Sequence, residues 1–128
     1  MVKTQKLYFS PDVVLYPLLY VIIMWLVFWF EIRFGEDFTS YGIHPGRVEG
    51  IRGVLFGPFI HGNLKHLFNN SIPMLVLGTA LFYFYRPLRW QVFILGFVIT
   101  GLITWAIGRP ANHIGASGIV YLLASFLF

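Results

Sequence analysis

Residues 67–108 read LFNNSIPMLVLGTALFYFYRPLRWQVFILGFVITGLITWAIG, and this stretch decides the fold. It holds two apolar runs without a formal charge, Leu67 to Tyr85 and Trp90 to Gly108, separated by Arg86-Pro87-Leu88-Arg89. At about 1.5 Å of rise per residue, each run as a helix comes close to the roughly 30 Å hydrocarbon thickness of a bilayer. So short a connection makes the two helices antiparallel neighbours.

Val13 to Phe30 is another charge-free apolar run, preceded by Lys3 and Lys6. A signal peptide has a shorter apolar core followed by a small-residue cleavage site. This run ends instead in Trp29-Phe30-Glu31-Ile32-Arg33 and reads as a span, with Pro17 in its first turn, where a missing N–H costs little. A fourth apolar run opens at Ile114 and is unbroken at Phe128, so the chain reads as cut inside a helix.

The composition agrees with lipid as the main solvent. Only 11% of the 128 residues are charged and 58% are hydrophobic, with a mean hydropathy of +0.75. A water-facing domain carries about a quarter charged residues. The absence of cysteine excludes disulfides, a thiolate nucleophile and a zinc–thiolate site. The net charge of +4 is spread along the chain rather than gathered in a basic stripe, which argues against nucleic acid.

Lys3, Lys6, Arg86 and Arg89 fall on one side of the spans. Arg33, Arg47, Arg52, Lys65 and Arg109 fall on the other. Charge in short loops near span ends weighs most, so the Arg-Pro-Leu-Arg connection sets the orientation. The N-terminus is then cytoplasmic and residues 31–65 lie outside. That outer segment carries seven glycines together with apolar residues such as Ile43, Val54, Phe56 and Ile60. It predicts one or two short interfacial helices, with Gly35, Gly42, Gly46, Gly50, Gly53 and Gly57 as turn points.

Two constellations can carry chemistry. In Gly115-Ala116-Ser117-Gly118, glycines clear space on both sides of a serine that opens an apolar helix, where unpaired backbone N–H groups gather. Such N–H groups can bind a developing oxyanion. The plainer alternative is a serine N-cap at a tight helix crossing. In residues 61–70, HGNLKHLFNN, Asn63 is a plausible N-cap, and His66 and Asn70 are four apart on one helical face. Both can donate hydrogen bonds. Polar side chains inside a span are costly unless satisfied or used. The alternative is a polar pair gluing two helices. His61 precedes the helix and can brace the preceding loop.

Taken together, His61, His66 and Asn70, then one further span, then Gly115 and Ser117 opening the next, resemble the rhomboid intramembrane serine proteases. The loop from Tyr41 to Gly62 and the stretch Ile119-Val120-Tyr121-Leu122 resemble bacterial members too. The resemblance covers roughly residues 15–128. It implies an all-α polytopic membrane bundle with a long, partly helical first extracytoplasmic loop. The chain is then a partial rhomboid domain over 1–128, with spans at about 13–34, 64–85, 88–108 and 115–128, an interfacial loop at 35–63 and the later spans absent.

The resemblance also implies roles. Ser117 matches the nucleophile, and His66 and Asn70 match the oxyanion-hole side chains, with the Ser117 N–H as a third donor. Gly115, Tyr121 and His61 are supporting residues; an aromatic at the position of Tyr121 packs against the catalytic histidine in the family. The partners are transmembrane protein substrates and membrane lipid, in a bacterial inner membrane. No cofactor and no metal are implied, and nothing fixes the oligomeric state. The family's base is a histidine on the sixth span of its core, beyond this chain, so the fragment alone is expected to be inactive. His113 is read as a loop residue rather than a base. Many members have a Trp-Arg pair in the first loop; Arg52-Gly53 stands here instead.

The alternative is a non-catalytic rhomboid-like protein that binds membrane clients. A transporter would show charged or broken-helix ion sites at mid-membrane, and the sequence has none. Trp25, Trp29, Tyr83, Tyr85, Trp90 and Trp105 read as interfacial anchors near span ends. Pro73 is expected to kink the second span. Gly78, Gly96 and Gly101 suit close helix contact.

Overall fold

A computed structural model describes residues 4–128. Five α-helices follow in order: α1 (Asp12–Phe34), α2 (Gly53–Phe56), α3 (Leu64–Phe84), α4 (Arg89–Ile107) and α5 (Ser117–Leu127). Between α1 and α3 the chain makes three short 3₁₀ turns around the single turn of α2. The fold is all-helical. The helices α1, α3 and α4 are long and apolar enough to cross a membrane.

The helix ends follow local chemistry. Helix α1 stops where Gly35 takes the left-handed conformation at φ 65° and its N–H donates to the Glu31 carbonyl. Glycine reaches that region without the steric cost of a Cβ. Helix α3 starts at Asn63, whose side-chain oxygen accepts from the His66 N–H at 2.8 Å. Pro73 sits inside α3 without ending it.

Helix α3 is the centre of the bundle. Its Leu67, Met74, Leu81 and Phe82 share one buried cluster with Val13, Tyr20, Val21 and Met24 of α1 and with Ile119 and Leu123 of α5. Helix α4 packs on α5 from outside and buries only Gly96 and Gly101. A Cβ at Gly78 would stand 3.0 Å from Pro17, which shows how closely α1 and α3 approach. Ile22, Leu26, Ile94, Leu95 and Ile103 remain exposed. Patches of that extent do not face water in a stable monomer; here they form a lipid-facing surface.

At one end of the bundle Asp12 opens α1 beside the α3–α4 connection. Its carboxylate lies 2.7 Å from an Arg89 nitrogen and 3.9 Å from Arg86. The Arg86 guanidinium also donates to the Tyr8 carbonyl and to Ser10 Oγ, each at 2.7 Å. Tyr8 and Ser10, ahead of α1, are thus tied to the Arg-Pro-Leu-Arg connection on one side.

At the other end, residues 35–63 fold over the helix tops. Of the six glycines expected to mark turns there, Gly35 and Gly46 have left-handed φ. Gly42, Gly50 and Gly53 serve differently: each lies where two chain segments touch. A Cβ at Gly53 would stand 2.2 Å from the Gly42 carbonyl, and one at Gly50 2.2 Å from the His44 carbonyl oxygen. Gly53→Ala should therefore cost about 3 kcal/mol of stability, because two backbones must part. Gly46→Ala, where nothing lies within 4 Å, should cost only about 1–2 kcal/mol of left-handed strain. Detergent-titrated unfolding of the two variants checks the order.

Candidate active site

Ser117 is the first residue of α5, and the turn leading into it is held by backbone contacts from the folded loop. His113 and Ile43 exchange N–H to carbonyl bonds at 2.8 and 2.9 Å. The Gly115 N–H donates to the Gly57 carbonyl at 2.9 Å. The Asn112 side chain donates to the Thr39 carbonyl at 2.6 Å. Four bonds from one loop fix the approach to the serine, so the loop is part of the site's scaffold.

His61 adds a fifth. The Ala116 N–H donates to its Nε2 at 3.3 Å. Accepting there makes the ring neutral, with its proton on Nδ1. His61 is buried at 1% exposure. Burial pushes its pKa down to about 4, and the positive charge His66 can carry adds to the fall. The two rings stand edge to face, 5.2 Å between centroids. His61 therefore braces the serine's own turn.

This sets a pH dependence with a definite sign. The unfolded chain takes a proton at this histidine near pH 6.5, the folded protein only near pH 4. Between those values the unfolded state holds the extra proton, so stability falls as pH falls through the window, by roughly 2–3 kcal/mol across it. Well above pH 6.5, where the unfolded chain no longer holds that proton either, His61 contributes no slope. Unfolding measured from pH 7 to pH 4 should show the decline, and His61→Gln, which keeps an acceptor for Ala116, should lose that part of it.

Gly115 is the meeting point of the polar residues. It sits at φ +97°, a region that side chains rarely enter. A Cβ placed there would lie 2.7 Å from His66 Cε1, 3.0 Å from His66 Nε2 and 3.4 Å from Asn70 Nδ2. The missing side chain is thus the space in which both α3 side chains reach the serine's turn. Asn70 is buried at 6% exposure, and its Nδ2 has no hydrogen-bond partner among the described residues. A buried donor left open costs about 1–3 kcal/mol.

The other residues singled out in the sequence are dispersed. Ser117, His113, Thr100 and Thr104 border a cavity of about 140 Å³ between the loop, α4 and α5, which stops short of His66 and Asn70. The His113 ring is engaged with the Arg109 carbonyl at 3.0 Å, as suits a loop residue. Tyr121 is 73% exposed and, among the described residues, no ring packs on it. Arg52 stacks over Tyr41 at 4.3 Å and reaches the Ser40 carbonyl, a contact within the loop.

One expectation is corrected. Trp25 is not an end-of-span anchor: it lies near the middle of α1, and its indole N–H donates to Ser71 Oγ at 2.9 Å. Reading Trp25 by its ring alone missed this partner. The available signal was Ser71, a hydroxyl inside an apolar span and next to Asn70, which needs a partner of its own.

The family model described as the Rhomboid domain matches residues 49–128. Uncharacterised proteins of Mycobacterium tuberculosis and Mycobacterium bovis are 35% identical over 117 residues, covering 86% of this chain and 48% of theirs. One of Mycobacterium leprae is 31% identical over 98 residues, covering 72% of this chain and 39% of its own. The chain spans about half or less of the length of these curated relatives. No solved structure matches it.

Proposed function

The chain belongs to the rhomboid family of integral membrane proteins, and from that premise we propose that it is the N-terminal part of an intramembrane serine endopeptidase. Ser117 Oγ attacks the scissile carbonyl of a transmembrane substrate. The carbonyl oxygen gains negative charge and accepts hydrogen bonds from the His66 and Asn70 side chains and from the Ser117 N–H. A histidine beyond residue 128 takes the serine proton and then delivers it to the leaving amine. Water entering from the outer side hydrolyses the acyl-enzyme, with the same histidine as base, and frees Ser117. Among the described residues no histidine is hydrogen-bonded to Ser117, and residues 1–128 alone are expected to cleave nothing.

The observation that carries this reading is the open Asn70 Nδ2, buried beside His66 and against a glycine two residues before the serine. Helix glue would have its donor paired; this one faces the serine's turn without a partner. The α5 N-terminus also has no side-chain cap, which leaves its first N–H groups available.

The orientation has the N-terminus and the Arg86–Arg89 connection in the cytoplasm of a bacterial inner membrane, and Ser117 near the outer face. Substrates enter sideways from lipid and are cut near the outer ends of their helices. Small or helix-weakening residues at the cut are favoured, because the scissile carbonyl must first leave its helix hydrogen bond. The direct test is to reconstitute the full-length protein in proteoliposomes with a membrane-spanning reporter. Cleavage near the reporter's outer end is the expected result. Stable retention of the reporter without any cleavage would favour the client-binding alternative.

A further inference from the structure

We infer that Trp25 of α1 and Ser71 of α3 are positioning residues for Asn70, joined in a hydrogen-bonded relay that sets the helical turn from which Asn70 reaches the serine. The inference rests on the reading of Asn70 as an oxyanion donor. The Trp25 indole N–H donates to Ser71 Oγ at 2.9 Å, and the Ser71 hydroxyl donates onward to the Leu67 carbonyl at 2.7 Å. Ser71 is 5% exposed. Both its acceptor and its donor capacity are thus used, one bond between helices and one within α3.

The placement of the relay is what connects it to the site. Leu67 follows His66, and Ser71 follows Asn70. The inner bond therefore spans the same turn that carries both α3 side chains. This part of α3 also lacks one backbone hydrogen bond. Pro73 has no N–H for the Asn69 carbonyl and crowds it. A serine that bonds back to the carbonyl four residues earlier shares that acceptor with the backbone and bends a helix. A helix softened at 67–73 does not fix the direction of Asn70 by itself. The tether from α1 does so from outside.

Trp25 is suited to this by its depth. It lies thirteen residues after the start of α1, near mid-span, where no water is available to its N–H. An unpaired N–H in hydrocarbon costs several kcal/mol, so the bond to Ser71 is held firmly. Nothing else polar in the described part of α1 bonds to α3. The relay is the one hydrogen bond between the two helices among the described residues.

The experiment uses the full-length protein, with reporter cleavage and fluorophosphonate labelling read in parallel. Trp25→Phe keeps the ring and removes the N–H; Ser71→Ala removes the hydroxyl. Each should lower kcat about tenfold with KM unchanged, since a displaced donor forfeits part of the 10²–10³-fold effect of losing one. The double variant should be no worse than either single one. Ser71→Thr, which keeps the hydroxyl, should restore most of the rate. The decisive arm is an Asn70→Ala background, in which Trp25→Phe should have no further effect on kcat. A general loss of packing would lower the rate in that background too, and that result would overturn the inference. So would wild-type kcat in both single variants while the wild-type protein cleaves and labels normally. If the wild-type protein labels no better than Ser117→Ala, the reading of the site itself fails, and the two failures are told apart.

Discussion

Ser117→Ala is expected to reduce peptide cleavage by the full-length protein by about 10⁴-fold or more, the scale on which nucleophile deletions act in serine hydrolases. The size follows from what the serine does. With its oxygen gone, no acyl-enzyme forms, and the remaining donors can only help water attack directly, a far slower path. The fold should be untouched, because the turn into α5 is held by the Ala116, Gly115 and His113 backbones rather than by the serine side chain. Ser125, on the same helix and exposed, supplies the control: Ser125→Ala should cleave at the wild-type rate. Initial rates on the membrane-spanning reporter measure all three proteins.

Asn70→Leu is expected to give the second-largest loss, a fall in kcat of about 10²–10³-fold with little change in KM. Its diagnostic value lies in the opposite behaviour of stability. Asn70 Nδ2 is buried without a partner, so exchanging the carboxamide for an apolar side chain of similar size removes an unpaired donor. Stability should hold or rise, by up to about 1–3 kcal/mol. A structural polar residue behaves otherwise, since its removal breaks a bond and lowers stability. Rate and unfolding midpoint measured on one preparation therefore separate the two roles. His66 touches the same space at Gly115, and His66→Ala should lower kcat in the same direction.

The three long apolar helices were legible in the sequence because charge-free apolar length is what a bilayer-crossing helix requires. Val13 to Phe30, Leu67 to Tyr85 and Trp90 to Gly108 became α1, α3 and α4 with ends shifted by a few residues, settled by the Gly35 and Asn63 caps. The loop was half legible. Glycine density announced irregular backbone, but one sequence cannot distinguish a glycine needed for its φ, such as Gly35, from one needed for its missing side chain, such as Gly53. The second kind depends on a segment distant in sequence. Partners distant in sequence were not legible at all, for the same reason. The bonds from Trp25 to Ser71 and from Ala116 to His61 join residues 46 and 55 positions apart, and no local periodicity encodes which rings or hydroxyls meet. His66, Asn70 and Gly115 were readable as polar or small residues out of place in apolar spans. That they converge on one point is a property of the packing of α3 against α5.

If Ser117 is the nucleophile of this arrangement, a covalent serine probe must capture it. Full-length protein is treated with a fluorophosphonate, digested, and the adduct located by peptide mass spectrometry. The prediction is one adduct, on Ser117, absent from Ser117→Ala and much reduced in Asn70→Leu. An adduct on any other serine, or equal labelling of wild type and Ser117→Ala, would contradict it.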